Sequence, residues 1–170
     1  MMKKIFVLLL IACASSASLM AQNDTRFKFS AGPELSFATG TFADGYSFGI
    51  GATGQVEFNL QENLYGTATS GVIFYNGKSV GGGVKNTGIN IIPIKVGVKY
   101  FIAGSVYVGA QTGVGIINKN LGTYFAYSPL VGYEFKTNSE KALDATLKFD
   151  GYSGSGSSIS SVGIRLAYIF

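Results

Sequence analysis

Ser161-Val162-Gly163-Ile164-Arg165-Leu166-Ala167-Tyr168-Ile169-Phe170 separates into two faces. Val162, Ile164, Leu166, Tyr168 and Phe170 fall on one face; Ser161, Gly163, Arg165, Ala167 and Ile169 fall on the other. A period of two is the signature of a β-strand, because successive side chains point to opposite sides of the pleat. The first face is apolar enough to meet lipid. The second is mostly small and suits a narrow, wet interior.

The same alternation recurs upstream. Phe27, Phe29, Ala31, Pro33, Leu35 and Phe37 oppose Lys28, Ser30, Gly32, Glu34 and Ser36. Phe48, Ile50, Ala52, Gly54, Val56, Phe58 and Leu60 oppose Gly51, Thr53, Gln55 and Glu57. A third strand spans Leu64 to Tyr75, with its facing open. Ile92, Ile94, Val96, Val98 and Tyr100 oppose Lys95, Gly97 and Lys99 in the fourth. Val106, Val108, Ala110, Val114 and Ile116 mark the fifth; Phe125, Tyr127, Pro129, Val131, Tyr133 and Phe135 mark the outside of the sixth. Leu143, Ala145, Leu147 and Phe149 oppose Asp144, Lys148 and Asp150 in the seventh. With the last stretch this makes eight strands, an even number that returns both chain ends to one side. The expectation is an all-β, closed eight-stranded antiparallel up-and-down transmembrane β-barrel.

The N-terminal stretch reads as an export signal. Lys3 and Lys4 precede an apolar run from Ile5 to Ala12, and Leu19-Met20-Ala21 precedes Gln22 as a cleavage site. The expected division is a signal peptide over 1–21 and a barrel domain over 22–170. Leu10-Ile11-Ala12-Cys13 also fits a lipobox, in which Cys13 would be lipidated. Cleavage after Ala21 would discard the single cysteine, and with it any disulfide, thiolate metal site or thiol nucleophile. Charged residues make up 13% of the chain and hydrophobic ones 47%, yet no stretch beyond the signal is long enough for a transmembrane helix. The apolar content is therefore spread by alternation. Lys3 and Lys4 account for half of the formal +4 charge, so the basic balance says little about an anionic partner.

Connection lengths orient the barrel. Gln61 to Asn63, Ile102 to Ser105 and Thr137 to Lys141 are short; Thr39 to Gly45, Asn76 to Gly88, Asn118 to Thr123 and Ser153 to Ser158 are longer on average and rich in Gly, Ser and Asn. Outer-membrane barrels have tight periplasmic turns and longer outer loops. A soluble barrel would instead carry many Lys and Glu residues on its outside. Aromatics at strand ends (Phe27, Phe37, Phe58, Tyr75, Tyr100, Tyr124, Tyr133, Phe135, Tyr168 and Phe170) match two interfacial girdles. Pro33, Pro93 and Pro129 fall inside strands, where each removes a ladder donor, so local bulges, or pairing already thinned near the outer rim, are expected.

Four segments carry a resemblance. They are Met20-Ala21-Gln22, Ile92-Pro93-Ile94-Lys95-Val96-Gly97-Val98-Lys99-Tyr100-Phe101, Tyr107-Val108-Gly109-Ala110 and Arg165-Leu166-Ala167-Tyr168-Ile169-Phe170. With them the chain after its signal resembles the small outer-membrane barrels of the OmpX/OmpA type, and more closely the PorT-like barrels of Bacteroidota. The resemblance implies an outer-membrane location in a Gram-negative bacterium. It implies roles that range over adhesins, secretion accessories and stabilisers. It also implies that a C-terminal aromatic, Phe170 with Tyr168 behind it, is the signal read by the barrel-assembly machinery.

Chemistry is limited by what the chain lacks. It has no histidine, which removes Ser-His-Asp and Cys-His mechanisms and makes zinc and redox-metal sites unexpected. No enzyme activity and no cofactor are expected. Glu34, Glu57, Glu134, Asp144 and Asp150 could form a carboxylate pair, but inward charges in a narrow barrel ordinarily neutralise one another. A lumen network of Lys28, Glu34, Glu57, Lys95, Lys99, Asp144, Lys148 and Arg165 is therefore expected. Gly49-Ile50-Gly51-Ala52-Thr53-Gly54 matches the dinucleotide fingerprint by letter, but Gln55-Val56-Glu57-Phe58 continues the strand where that motif needs a helix. Gly81-Gly82-Gly83 reads as a loop tip. The function classes left are a structural or interaction barrel displaying surface loops, a small porin-like transport protein, and an accessory component of a secretion system. Eight strands leave an interior just wide enough for side chains, which favours the first. The partners implied are outer-membrane lipid, the assembly machinery and a protein or surface ligand at the outer loops; nucleic acid is not among them.

Overall fold

The computed structural model describes residues 27–80, 84–118, 122–136, 141–154 and 157–170. The expected signal peptide over 1–21, with Cys13, and the glycine triplet 81–83 lie outside the described residues, as do parts of three other connections, 119–121, 137–140 and 155–156.

Eight long strands close into one antiparallel barrel. In chain order the elements are β1 (Phe27–Thr39), a one-turn helix α1 (Phe42–Gly45), β2 (Tyr46–Gln61), β3 (Leu64–Gly77), a short ribbon β4 (Ser79–Val80) and β5 (Val84–Lys85), β6 (Ile89–Ala103), β7 (Val106–Ile117), β8 (Gly122–Lys136), β9 (Ala142–Gly154) and β10 (Ser157–Ile169). Neighbours in the barrel are neighbours in sequence, and β1 closes on β10 through pairs that include Glu34 with Arg165 and Phe37 with Val162. The small ribbon β4–β5 stands apart from the barrel sheet. Its base is tied to α1, where the backbone N–H of Lys78 donates to the Gly45 carbonyl at 2.9 Å.

The two ends of the barrel differ. One, here the terminal end, holds Phe27, Phe170 and tight turns. Asn63 takes φ +65° in the turn between β2 and β3, and Gly104 takes φ +54° between β6 and β7; both fall in the left-handed region that glycine and asparagine tolerate. The other, the loop end, holds α1 and the β4–β5 ribbon.

The alternation read from sequence sets the facing. Leu35, Ile50, Ile94, Val96, Leu147, Ile164 and Leu166 are exposed outside, while Glu34, Thr53, Lys95, Lys148 and Arg165 are buried inside. Among the described residues, no outward position on the eight barrel strands carries a charged side chain. Such an exterior is insoluble in water and suits the apolar core of a bilayer, where a closed barrel satisfies its backbone groups between strands.

Two expectations need correction. Tyr75 and Tyr124 are not girdle residues; they are 2% and 8% exposed and point into the lumen at the loop end. β3 puts Thr67, Thr69, Ile73 and Tyr75 inside, which resolves its facing. At the prolines the pairing thins, as one of the two expectations for them had it, but without bulges, and for Pro33 and Pro129 in mid-strand rather than at the rim. Pro33 stays paired with Ala52 on one side, and on the other the β1–β10 ladder lapses between Ala31 and Glu34 and resumes in the same register. Pro93 and Pro129 do the same, keeping Gly115 and Ala110 as partners while the β3–β6 and β8–β9 ladders skip past them. A missing N–H therefore costs pairing with one neighbour only. The register shifts lie elsewhere, in β2 and β6 close to their ends.

Glycine is required where inward aromatic rings lie flat on the wall. A methyl on Gly132 would sit 2.2 Å from the Tyr107 ring, and one on Gly115 would sit 2.4 Å from that of Tyr152.

Candidate functional site

Among the described residues, the lumen is the one place where reactive side chains converge, and strand geometry decides which of them meet. Lys95 and Lys99 share the inward row of β6, four residues and about 13 Å apart along the strand. Asp144, Lys148 and Asp150 share the inward row of β9. The charges therefore collect at two levels.

Nearer the terminal end, Lys99 Nζ lies 2.9 Å from Glu57 Oε1, 2.6 Å from Glu134 Oε1 and 3.3 Å from Asp144 Oδ2. The Tyr107 hydroxyl donates to Asp144 Oδ2 at 2.8 Å, and the Lys99 ammonium sits 4.0 Å from the centre of the Tyr107 ring. Arg165 Nη1 approaches Asp144 Oδ1 at 3.6 Å. Nearer the middle, Lys148 Nζ lies 2.8 Å from Glu34 Oε1 and 3.4 Å from Asp150 Oδ2, and Lys95 Nζ lies 2.6 Å from Asp150 Oδ1. The Ser128 hydroxyl also donates to Asp150. Thr53 joins the levels: Arg165 Nε donates to its hydroxyl at 2.9 Å, and that hydroxyl donates to Glu34 Oε2 at 3.1 Å.

Every charged group in this network is almost completely buried. Desolvating a charge is expensive, and it is tolerated only where partners surround it. Here Lys99 has three carboxylates, and Arg165 adds the hydroxyls of Thr53 and Ser30 to its carboxylate. Glu57, Glu134 and Asp144 bring carboxylate oxygens within 4.8 Å of one another, a spacing that suits a hard cation. The Lys99 ammonium stands among them and supplies the positive charge itself.

Of the residues expected in the lumen network, Glu34, Glu57, Lys95, Lys99, Asp144, Lys148 and Arg165 are joined in it. Lys28 is not. It is Glu57's partner in the β1–β2 register, but its ammonium lies over the Tyr65 ring, 4.9 Å from the centroid, at the terminal mouth. Glu134 and Asp150 take places in the network that the expected set did not give them. Neutral polar side chains adjoin the charges, and Gln55 Nε2 donates to Glu57 Oε1 at 2.8 Å. Gln111 Nε2 donates to Thr69 at 3.0 Å, Thr69 donates to Gln55 at 2.9 Å, and a cavity of only about 10 Å³ lies beside them. That is room for about one water molecule.

The loop-end third of the lumen has a different chemistry. Ile73, Ile89, Ile91, Ile117, Ala126 and Ile159 pack with Tyr75, Tyr124 and Tyr152, and Phe42 of α1 covers them. Tyr75 spans the lumen and bonds to Ser36 at 2.6 Å and Ser161 at 2.9 Å. Sequence reasoning missed this layer. Its signal was there: Ile89 and Ile91 share the inward parity of Lys95, and Ile73 shares that of Thr69.

Phe170 and Tyr168 sit outside at the terminal end. Phe170 is 61% exposed, its ring meets that of Tyr168 edge-on at 5.2 Å, and its N–H donates to the Phe29 carbonyl at 2.9 Å.

No protein-family model and no curated protein matches the chain. Solved structures do. Neisserial surface protein A aligns with a TM-score of 0.66 at 15% identity, over 84% of this chain and 95% of that one. The Yersinia pestis outer membrane protein Ail aligns at 0.58 and 12%, over 86% of this chain and all of that one; Ail has also been solved with the heparin analogue sucrose octasulfate. OprG of Pseudomonas aeruginosa aligns at 0.56 and 10%, over 84% and 91%. At these identities the likeness is one of fold. The chain thus has the fold of the small eight-stranded outer-membrane β-barrels of Gram-negative bacteria.

Proposed function

We propose that this protein is an integral outer-membrane barrel that works as a structural and interaction protein. Its closed body sits in lipid and displays the loop end outside the cell to a protein or surface ligand. The filled lumen carries the reading. Two levels of ion pairs and an apolar layer occupy the interior, and the cavity among them has room for about one water. A solute path would require several buried ion pairs to break together, which argues against a porin-like transport role. Ligand binding is within the reach of the fold, since Ail has been solved in complex with the heparin analogue sucrose octasulfate. Phe170 and Tyr168 serve as the address for the barrel-assembly machinery, and a PorT-like accessory role in secretion is the finer alternative.

The experiment is affinity capture by the protein in lipid nanodiscs, with and without the β4–β5 ribbon and its tip. Binding to cell-surface material that vanishes with the ribbon supports the reading. Binding that persists undiminished without it, or solute flux through the intact barrel, overturns it.

A further inference from the structure

The apolar layer at the loop end is corked by a residue of this same chain. Phe42 lies on a helix of one turn, too short to hold itself in water. Its preceding residue, Thr41, makes no capping hydrogen bond through its side chain. What holds α1 down is outside it: Lys78 Nζ donates to the Ala43 carbonyl at 2.7 Å, and Lys78 N–H donates to Gly45. The ring itself occupies an aromatic slot. It stacks on Tyr46 with centroids 4.7 Å apart and meets Tyr75 edge-on at 5.1 Å. Tyr75 is a firm wall, fixed by its bonds to Ser36 and Ser161.

In the layer that Phe42 covers, Tyr152 is 1% exposed and its hydroxyl has no hydrogen-bond partner among the described residues. A buried hydroxyl without a partner is unfavourable, and a ligand that supplies one gains the difference.

We propose that Phe42 is a built-in stand-in for a ligand. When α1 lifts, the slot between Tyr46 and Tyr75 accepts a small aromatic molecule carrying one hydroxyl, whose polar group partners Tyr152. The ligand takes the place of the Phe42 ring, so the site needs no cavity in the closed state. The ion-pair levels below stay shut, so ligand uptake at this mouth is separate from transport through the barrel.

The probe is p-cresol, added to the protein in lipid nanodiscs with its isoleucine methyls labelled with carbon-13. Ile73, Ile89 and Ile91 report on the mouth, while outward Ile50, Ile94 and Ile164 report on probe dissolved in lipid. The inner methyls should shift saturably and the outer ones only in proportion to concentration. Phe42→Ala, which empties the slot, should tighten binding about tenfold. Lys78→Ala, which loosens the helix without touching the slot, should tighten it a few-fold. Toluene should bind several-fold more weakly than p-cresol, and Tyr152→Phe should erase that difference, as expected for one hydrogen bond. Inner methyls that never saturate in the wild type or in Phe42→Ala would overturn the proposal. So would equal binding of toluene and p-cresol to the wild type.

Discussion

Replacing Lys99 by methionine keeps most of the side chain's length and removes its charge. Three buried carboxylates then face one another, with Arg165 the nearest remaining cation at 3.6 Å from Asp144. At the 4.8 Å limit of their separation, two such charges repel by about 3 kcal/mol at an effective dielectric of about 20. Breaking a buried ion pair by deleting one partner costs about 3–5 kcal/mol, and losing the cation from the Tyr107 ring adds about 1 kcal/mol. The expected destabilisation is therefore about 4 kcal/mol or more. Lys28→Met is the matched control. It removes a cation over Tyr65 that belongs to no ion pair of the network, and should cost about 0.5–1 kcal/mol. Adding Glu57→Gln to Lys99→Met should recover part of the loss, because it removes one of the three repelling charges. The assay is urea unfolding of protein refolded into thin-bilayer vesicles, followed by circular dichroism. If Lys99→Met lies within about 1 kcal/mol of the wild type, or Lys28→Met costs as much, the lumen network is not what holds this interior together.

Other perturbations test other parts. Gly132→Ala should destabilise by about 1–3 kcal/mol in the same assay, since the new methyl would meet the hydrogen-bonded end of Tyr107 at 2.2 Å and force a shift. Leu147→Arg places a charge on the outward face in mid-strand and should cost about 2–4 kcal/mol in bilayers, while an arginine at Phe135, near the terminal rim, should cost about 0–1 kcal/mol; equal costs would contradict the lipid-facing belt. Deleting Phe170 should reduce outer-membrane yield in cells far more than refolding in detergent, and equal effects in both would make it a packing residue only. Protease added to intact cells should cut within 76–88 and spare the turn at Glu62 and Asn63; the reverse pattern would invert the proposed orientation.

The sequence was most legible where one physical rule dominates. A side-chain period of two, sustained through stretches such as Phe48 to Leu60 and Val162 to Phe170, fixes both the strand and its facing. Lys95, Lys99, Lys148 and Arg165 were therefore visible as inward charges before their partners were. Legibility failed where facing depends on a single residue's register or on position along the barrel. Tyr75 and Tyr124 look like girdle aromatics because they stand at strand ends, yet their parity turns them inward. Lys28 has inward parity too, but it lies so near the terminal mouth that an aromatic ring and water serve its ammonium better than the buried carboxylates do. The prolines were half legible: thinned pairing was one of two expectations, and letting one ladder lapse for two residues keeps the register even in mid-strand. The loop-end apolar layer escaped notice because isoleucines on an inward row contradict the rule that a membrane barrel is greasy outside and polar within.

The most direct test of the closed lumen is single-channel recording of the refolded protein in planar bilayers. The wild type is expected to show no steady conductance at moderate voltage and neutral pH. A stable, reproducible open channel in the wild type would contradict it and return the protein to the transport class.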